Sequence, residues 1–329
     1  MKNKKVLILL TLALAITLTA AIFSSCGKTP MPEKTADIDD LTKTYFGEEN
    51  TTPIHVELTK YVNTNGCQVT YDITTSDASV ANVKFEEGIL FITPLKGEGS
   101  TDITVSVKSG DKEAFTFDFK FTATSIKKIA CIGDSLTYGH SWTDEAYPVY
   151  LKQMFEGIGC EVGNFGLNGA SITGTNPNLY LKYAEQKQYT DSLDYNADVV
   201  VIMLGTNDSK DWKAAEPNFE SWYIELIESY QAKNPDVKII LVTAPPTFEN
   251  NKFNLPNAVI KEKVCPVQRD VAEELELPLI DFRQIMEDYD GGYEDLIRGD
   301  AAFDGVHLSV KGAQLLAQLI KDVICGLNI

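Results

Sequence analysis

The sequence predicts two folded domains, a small all-β sandwich followed by an α/β domain built on a parallel sheet. Three observations support this prediction. The chain has 329 residues, too many for one ordinary domain; residues 51–124 alternate apolar and polar side chains; and from residue 125 continuous apolar runs alternate with helical segments. With 44% hydrophobic and 23% charged residues the composition is globular, which excludes global disorder and a fibrous fold.

The charge balance excludes one class of partner. The chain carries 29 Lys and Arg against 47 Asp and Glu, a formal net charge of −18 at pH 7. Because most of such a surface repels a polyanion, nucleic acid is not expected as a partner.

Residues 1–25 have the composition of an export signal. Three lysines precede an apolar run of 17 residues from Val6 to Ile22, which small residues follow. A membrane-spanning helix needs about 20 apolar residues and threonines interrupt this run, so we expect a cleaved signal peptide and not a spanning anchor. Cleavage removes the three lysines and no acid, which makes the net charge of the mature chain −21.

Cys26 follows two small residues, Ser24 and Ser25. This arrangement resembles a bacterial lipoprotein box. The resemblance implies that Cys26 becomes the lipidated N-terminus of an exported protein, anchored to a bacterial membrane at the cell surface or in the periplasm. The lipid, and not attraction to anionic head groups, would then hold the acidic chain at the membrane. Phe23 stands where leucine is usual, which leaves a secreted protein as the alternative.

Two segments precede the α/β domain. Residues 26–50 start with a polar segment that contains prolines, and we expect them to form a tether. Residues 51–124 have period-two alternation and closely spaced turn signals, which predict an antiparallel β-sandwich. Within them, Ser79–Val83 and Gly97–Val105 resemble bacterial Ig-like repeats. The region has no tryptophan to stack on a sugar ring, so a spacer or docking role is favoured over carbohydrate binding.

The α/β domain is expected over residues 125–329. Pro148 marks the first turn of one helix, and Ser309 and Gly326 bound the last one. Continuous apolar runs predict strands buried on both faces. These predicted strands are Ile129–Ile132, Glu161–Phe165, Val199–Leu204, Ile239–Val242 and Leu277–Phe282.

Polar and glycine-rich segments stand where the strands end, at the edge of a parallel sheet where ligands bind. Gly133–Gly139 (GDSLTYG) follows the first strand, and its glycines permit a tight turn that holds Ser135 at a helix N-terminus. Asn164–Gly169 (NFGLNG) and Gly205–Asp208 (GTND) lie at the ends of the next two strands, and Asp304–His307 (DGVH) precedes the last helix.

In this order and spacing the four segments resemble the blocks of the SGNH, or GDSL-type, hydrolases, over residues 126–329. The resemblance implies a flavodoxin-like three-layer α/β/α fold and a serine esterase. It assigns Ser135 as the nucleophile, His307 as the base and Asp304 as the carboxylate that orients the base. The oxyanion hole that it implies consists of the Ser135 N–H, the Gly169 N–H and the Asn207 side-chain amide.

The chain has three histidines, which limits the choice of base. His55 lies in the predicted sandwich and is expected to be structural. His140, five residues after Ser135, is expected to line the substrate pocket, and a role as the base is the alternative to His307. Asp134, at the same pocket, is expected to brace the turn and not to react.

The resemblance implies ester hydrolysis but does not identify the acyl group. Leu204–Trp212 is similar to the third block of carbohydrate acetylesterase-type members, which implies O-acetyl esters of carbohydrate as substrates. Trp212 would stack on a sugar ring or pack in the core. No metal or organic cofactor is expected, because side chains and water suffice for the mechanism.

Three further possibilities remain open at this point. A lipase or lysophospholipase is the alternative enzyme, although no long apolar loop stands out. A catalytically inactive glycan-binding surface protein is a third possibility, against which the complete set of catalytic residue types argues. Transfer of the acyl group to a sugar instead of water is also possible, and the oligomeric state is open.

Five cysteines lie beyond Cys26, without a C-x-x-C pair or metal-ligand spacing. We therefore expect no zinc site and at most one disulfide. Cys131 lies in the first strand of the α/β domain and is expected to be a buried free thiol.

Overall fold

The computed structural model describes residues 31–35, 45–47, 53–95, 99–123, 126–156, 160–175, 181–299 and 304–326. The proposed signal and the lipidation site at Cys26 lie outside these residues. Up to residue 123 the secondary structure is almost entirely strand, and after it strands and helices alternate. No helix in the described ranges is both long and apolar enough to cross a membrane.

Short and long strands make up the N-terminal region. Strands β2, β9, β8 and β5 form one sheet, β3, β7 and β6 form a second, and β1 pairs with β4. Alternate side chains of the two sheets, such as Val105 and Ile92, are buried in one shared apolar cluster, which confirms the predicted small β domain. The strands are β1 Glu33–Lys34, β2 Tyr45–Gly47, β3 Ile54–Glu57, β4 Val62–Asn63, β5 Thr70–Thr75, β6 Ala81–Glu86, β7 Ile89–Pro94, β8 Gly99–Ser109 and β9 Lys112–Ala123.

Two of these strands lie within residues 26–50, where the sequence suggested a tether. The backbone of β1 pairs antiparallel with β4, and that of β2 pairs parallel with the edge of β9. Among the described residues of 51–124 the strand pairs are antiparallel, as the turn spacing predicted, and the parallel pair involves β2, which precedes that range. Strands of two or three residues have no period of their own, so only their distant pairing partners define them.

The α/β domain is built on a five-stranded parallel sheet with the order β11-β10-β14-β15-β16. This is the flavodoxin-like order, in which the second strand along the chain lies outside the first. The predicted flavodoxin-like fold is therefore confirmed. The sheet strands are β10 Lys128–Gly133, β11 Glu161–Gly166, β14 Val199–Met203, β15 Lys238–Val242 and β16 Leu279–Ile280, and a separate parallel pair consists of β12 Ala170–Ser171 and β13 Leu181–Lys182.

Helices cover both faces of this sheet. Cys131 and Val201 face a cluster formed with α2 and α8, whereas their neighbours Ile132 and Ile202 face a cluster formed with α4 and α6. The continuous apolar runs thus bury both faces of each central strand and give three layers. The helices are α1 Ser135–Tyr138, α2 Tyr147–Met154, α3 Lys187–Tyr195, α4 Trp212–Lys233, α5 Asn257–Val259, α6 Cys265–Glu274, α7 Phe282–Glu287 and α8 Val310–Gly326, with a π-helical turn Ile260–Val264 between α5 and α6.

The helix starts and the end of the last sheet strand can be compared with the boundaries that the sequence predicted. Pro148 lies in the first turn of α2, and the Ser309 hydroxyl accepts the Gly312 N–H at 3.2 Å at the start of α8, as predicted. The strand predicted at Leu277–Phe282 was too long, because β16 comprises only Leu279–Ile280. Asp281 ends it: its carboxylate accepts the Gln284 N–H and caps α7.

Cys131 and Cys265 are free thiols. Cys131 is fully buried, and burial raises the pKa of its thiol to about 12. It stays protonated at neutral pH and behaves as an apolar core residue, in agreement with the sequence-based expectation.

Candidate active site

Ser135 is placed by a tight turn at the end of the central strand β10. The chain passes from Gly133 through Asp134 into α1, whose first residue is Ser135. The Asp134 carboxylate accepts the Leu136 N–H at 2.8 Å and caps the helix. A Cβ on Gly133 would lie 2.0 Å from Thr137 Oγ1, so only glycine fits where the strand meets the helix.

Asp304 and His307 approach Ser135 from the loop before α8. His307 Nε2 lies 2.9 Å from Ser135 Oγ, and His307 Nδ1 lies 2.8 Å from Asp304 Oδ2. Asp304 Oδ1 also accepts the backbone N–H groups of Val306 at 2.9 Å and His307 at 2.7 Å. Asp304 and His307 are only 3% and 4% exposed, so water does not compete for these hydrogen bonds. The two residues therefore form a rigid turn with the imidazole aimed at the serine.

The Asp304 carboxyl is ionised at neutral pH. Burial on its own would raise the pKa of Asp304, but the hydrogen bonds and charge of His307, together with the two backbone N–H groups, outweigh burial and lower that pKa. An ionised carboxylate at Nδ1 holds the proton on that nitrogen and leaves Nε2 free to accept from Ser135.

Asn207 and Gly169 follow the strands β14 and β11, and the Asn207 side chain reaches Asp134, the residue before Ser135. The Asn207 amide donates to Ala170 O at 2.8 Å, and its nitrogen lies 3.4 Å from Asp134 Oδ2. Gly169 has a φ of +75°, which turns the chain just before β12 and favours glycine. Among the residues that the structure describes, the N–H groups of Ser135 and Gly169 donate to no other group.

Asp208 fixes the loop that carries Gly169. Its carboxylate accepts the N–H groups of Ile172 and Thr173, both at 2.9 Å, and the Thr173 hydroxyl at 2.7 Å. Asp208 and Asp134 are each 1% exposed, and burial raises the pKa of Asp208 to about 6 and that of Asp134 to about 7. Asp134 thus braces the turn, as predicted, and the two buried carboxyls tie three loops together.

His140 lies against the catalytic imidazole and not on the serine. Its ring is parallel to that of His307, with centroids 4.3 Å apart and planes 8° apart. Phe253 presents its edge to both rings, 5.2 Å from His307 and 5.6 Å from His140. His307 thus bonds both Ser135 and Asp304, whereas His140 contacts His307 through its ring face.

A cavity of about 650 Å³ opens beside these residues. Trp142 forms part of its wall, and the Arg298 guanidinium lies 4.3 Å from the centroid of the Trp142 ring while it pairs with Glu145. The lining residues are His140, Ser141, Trp142, Lys252, Ile297, Arg298, Gly299, Asp304, Ser309 and Val310. The cavity wall therefore carries an aromatic ring and two cationic side chains beside Asp304 and His140.

Trp212 does not line this cavity. Its ring packs at 5.1 Å against Phe219, and its indole N–H is buried without a hydrogen bond to any described residue. Of the two roles that the sequence left open for Trp212, core packing is the one that its position supports. Trp142 is the tryptophan in the cavity wall, and the sequence analysis did not predict it. Its position directly after the GDSLTYGHS segment is the sequence feature that could have indicated it.

The described site residues carry acid–base and nucleophilic groups. No set of His, Cys, Asp and Glu in the described ranges could hold a metal ion. A hydroxyl bonded to an imidazole, itself bonded to a carboxylate, can attack an acyl carbon, and adjacent N–H donors can stabilise the resulting oxyanion.

Comparison with known proteins agrees with this chemistry. Residues 131–315, more than half of the chain, match the model of the GDSL-like Lipase/Acylhydrolase family. The matched segment begins in β10 and ends within α8, so it contains every site residue described above.

Two curated proteins are similar over the same part of the chain. An acetylxylan esterase of Xylanibacter ruminicola is 30% identical over 223 residues, which are 60% of this chain and 43% of that protein. The chain thus aligns with less than half the length of this relative. An uncharacterized lipoprotein, YqeF, of Bacillus subtilis is 28% identical over 220 residues, which are 59% of this chain and 88% of that protein.

Solved structures of similar proteins cover the α/β domain. A lipase/acylhydrolase from Enterococcus faecalis is 26% identical, with a TM-score of 0.48, over 61% of this chain and 96% of that one. The acetyl xylan esterase AlAXEase is 23% identical, with a TM-score of 0.47, over 60% of this chain and 99% of that one.

Proposed function

The chain belongs to the GDSL-like lipase/acylhydrolase family, and from that premise we propose that it is a serine esterase that hydrolyses O-acetyl esters of carbohydrate. The observation that carries the proposal is the unbroken hydrogen-bond chain from Asp304 through His307 to Ser135, with distances of 2.8 Å and 2.9 Å. A catalytically inactive glycan-binding protein has no need of this aligned and buried set.

The proposed reaction has two steps. As Ser135 Oγ attacks the ester carbonyl carbon, His307 Nε2 takes the serine proton, and it then gives that proton to the leaving sugar oxygen, which departs as a hydroxyl when the ester C–O bond breaks. Water attacks the acyl-serine, His307 takes its proton and returns a proton to Ser135, and the carboxylic acid leaves. Asp304 stays ionised and stabilises the imidazolium that forms in both steps.

The tetrahedral intermediates need donors for their oxyanion. We assign this role to the Ser135 N–H, the Gly169 N–H and the Asn207 amide. The backbone N–H groups of Ser135 and Gly169 have no other acceptor among the described residues, which supports this role. The Asn207 amide nitrogen lies 3.4 Å from Asp134 Oδ2, a weak hydrogen bond that an oxyanion can replace.

An O-acetylated carbohydrate is the substrate class that we propose. Trp142, Lys252 and Arg298 in the cavity wall would contact its sugar. The acetylxylan esterase relative supports the same choice, since its name specifies acetyl esters of a glycan.

The substrate proposal is tested by acetate release from acetylated xylan and other acetylated glycans, beside hydrolysis of nitrophenyl esters with two and twelve carbons. We expect acetate release and a preference for the two-carbon ester, with both activities absent in Ser135→Ala. A preference for chains beyond eight carbons would contradict the carbohydrate assignment and favour the lipase. Ester-exchange products with added sugar would identify acyl transfer.

We also propose that the chain is an exported lipoprotein anchored through Cys26, with the Ig-like β domain as a spacer. The name of the YqeF relative supports this location. In a bacterial host that incorporates labelled palmitate, the protein should carry the label and fractionate with membranes, and Cys26→Ser should lose both properties. A label-free protein in the medium would identify the secreted alternative.

A further inference from the structure

His140 stands in a strained backbone conformation that the helix itself does not require. Gly139 ends α1 with a φ of +95°, and His140 follows with a φ of +48°, which residues with a side chain seldom adopt. The Trp142 N–H then donates to Gly139 O at 2.7 Å and closes the turn. Backbone strain of this kind is found at functional sites, where it places a side chain, so the contacts of the His140 ring indicate its role.

The His140 ring covers one face of the catalytic imidazole. The two rings are 4.3 Å apart and within 8° of parallel, and Phe253 stands at 85° to His307 and 88° to His140. Trp142 lies farther out, with its centroid 6.4 Å from that of His307. Hydrogen bonds to Ser135 and Asp304 hold the two nitrogens of His307, and the stacked and edge-on rings restrict rotation about its side-chain bonds.

We propose that His140 is a positioning residue for the catalytic base: its neutral ring supports the face of His307 and keeps Nε2 aimed at Ser135 while His307 gains and loses a proton. This inference rests on the proposed esterase mechanism. It changes the expected role of His140 from substrate binding to the support of His307.

The charges around His140 agree with a neutral ring. Burial lowers the pKa of His140, and the adjacent His307 and Lys252 lower it further, while Asp304 and a hydrogen bond with the Asn168 side chain act in the opposite direction. When His307 becomes an imidazolium in the reaction, a neutral aromatic face is the partner that accepts it, whereas a second imidazolium would repel it.

The test compares two substitutions that separate the ring from the backbone. Asn tolerates a positive φ but has no ring, so His140→Asn should lower kcat for 4-nitrophenyl acetate about tenfold to a hundredfold, with KM changed less than threefold. His140→Phe keeps a stacking face and should recover kcat to within about threefold of wild type. The control is His55→Asn, since His55 makes a comparable ring contact with Phe91 in the β domain and should leave kcat unchanged.

Proton NMR supplies a second readout, because only three histidines contribute imidazole signals. In the wild type, the ring-proton signals of His307 should be displaced by the ring current of the stacked His140. The displacement should persist in His140→Phe and disappear in His140→Asn. Melting curves establish that each variant is folded. If His140→Phe does not fold, Phe253→Leu replaces it in the test: it removes the edge contact to His307 and should lower kcat by a smaller factor than His140→Asn does.

Three results would overturn the inference. These are equal loss of kcat in His140→Asn and His140→Phe, a loss confined to KM, and His307 ring-proton signals that are the same in the wild type and in His140→Asn. A wild-type protein that hydrolyses no ester would refute the proposed function instead, and the NMR spectra would still report whether the two rings are stacked.

Discussion

Replacement of Asp304 by Asn isolates the role of the carboxylate in the triad. Asp304 Oδ1 accepts the backbone N–H groups of Val306 and His307, and an Asn oxygen can keep both bonds. The remaining amide group of Asn would then face His307 Nδ1, where Asp304 Oδ2 lies 2.8 Å away. An amide N–H can only donate there, so Nδ1 must become the acceptor and the ring proton moves to Nε2.

A protonated Nε2 cannot accept the Ser135 proton, so we expect Asp304→Asn to lower kcat by about 10⁴. At about 1.4 kcal/mol for each factor of ten, this is about 5 kcal/mol of lost transition-state stabilisation. The free energy of unfolding should change by only about 1 kcal/mol, because the backbone bonds remain.

The assay is the initial rate of nitrophenolate release from 4-nitrophenyl acetate, with a thermal melt of each variant. Asp295→Asn is the matched control, since the exposed Asp295 carboxylate pairs only at 3.5 Å with the exposed Lys311 and should have no effect on kcat. A folded Asp304→Asn variant with kcat within tenfold of wild type would refute the assignment of Asp304.

Three further predictions concern the surroundings of Ser135. Asn207→Ala should lower kcat about a hundredfold or more, by loss of an oxyanion donor. Burial raises the pKa of Asp134 from its ordinary value of 3.8 to about 7 in the folded protein. The destabilising effect of the buried charged carboxylate is therefore absent below about pH 4 and complete above about pH 7. Over that range the free energy of unfolding of the wild type, relative to that of Asp134→Asn, should fall by about 4 kcal/mol. Gly166→Ala should destabilise the fold by about 3 kcal/mol, because its Cβ would lie 2.3 Å from the Tyr138 nitrogen.

Kinetics and urea denaturation check these three predictions. Asn207→Asp, which keeps the shape of the side chain but has no amide hydrogen, should be as impaired as Asn207→Ala; full activity in either variant would remove Asn207 from the oxyanion hole. A difference in unfolding free energy that does not vary between pH 4 and pH 8 would show that Asp134 titrates normally. A Gly166→Ala variant that unfolds at the same urea concentration as the wild type would contradict the predicted clash with Tyr138.

The sequence predicted the parts of the fold that have a local signal. Continuous apolar runs located β10, β14 and β15 to within one residue at each end, because strands buried on both faces leave no polar positions. Pro148 and Ser309 located the starts of two helices, because a proline in the first turn and a serine that accepts a backbone N–H act within a few residues of the chain. Asp304 and His307 came from the family resemblance, and the structure explains their three-residue spacing by a turn in which the two residues bond to each other.

The parts that the sequence did not reveal depend on contacts between distant residues. The strand at the end of the sheet was drawn too long because the cap formed by Asp281 is weaker as a signal than the apolar run beside it. Trp142 and Phe253 are separated along the chain from His307, and only the folded loops bring their rings to it. The stack of His140 on His307 requires a positive φ that no periodicity indicates.

The central claim is that Ser135 is the nucleophile, and covalent labelling tests it most directly. A nitrophenyl phosphonate should react with the protein once per chain, tandem mass spectrometry should locate the adduct on Ser135, and esterase activity should fall in proportion to labelling. Folded Ser135→Ala should show neither adduct nor activity, whereas Ser141→Ala, which changes a neighbouring serine of the cavity wall, should still be labelled at Ser135. Activity retained in Ser135→Ala, or an adduct on another residue of the wild type, would contradict the account.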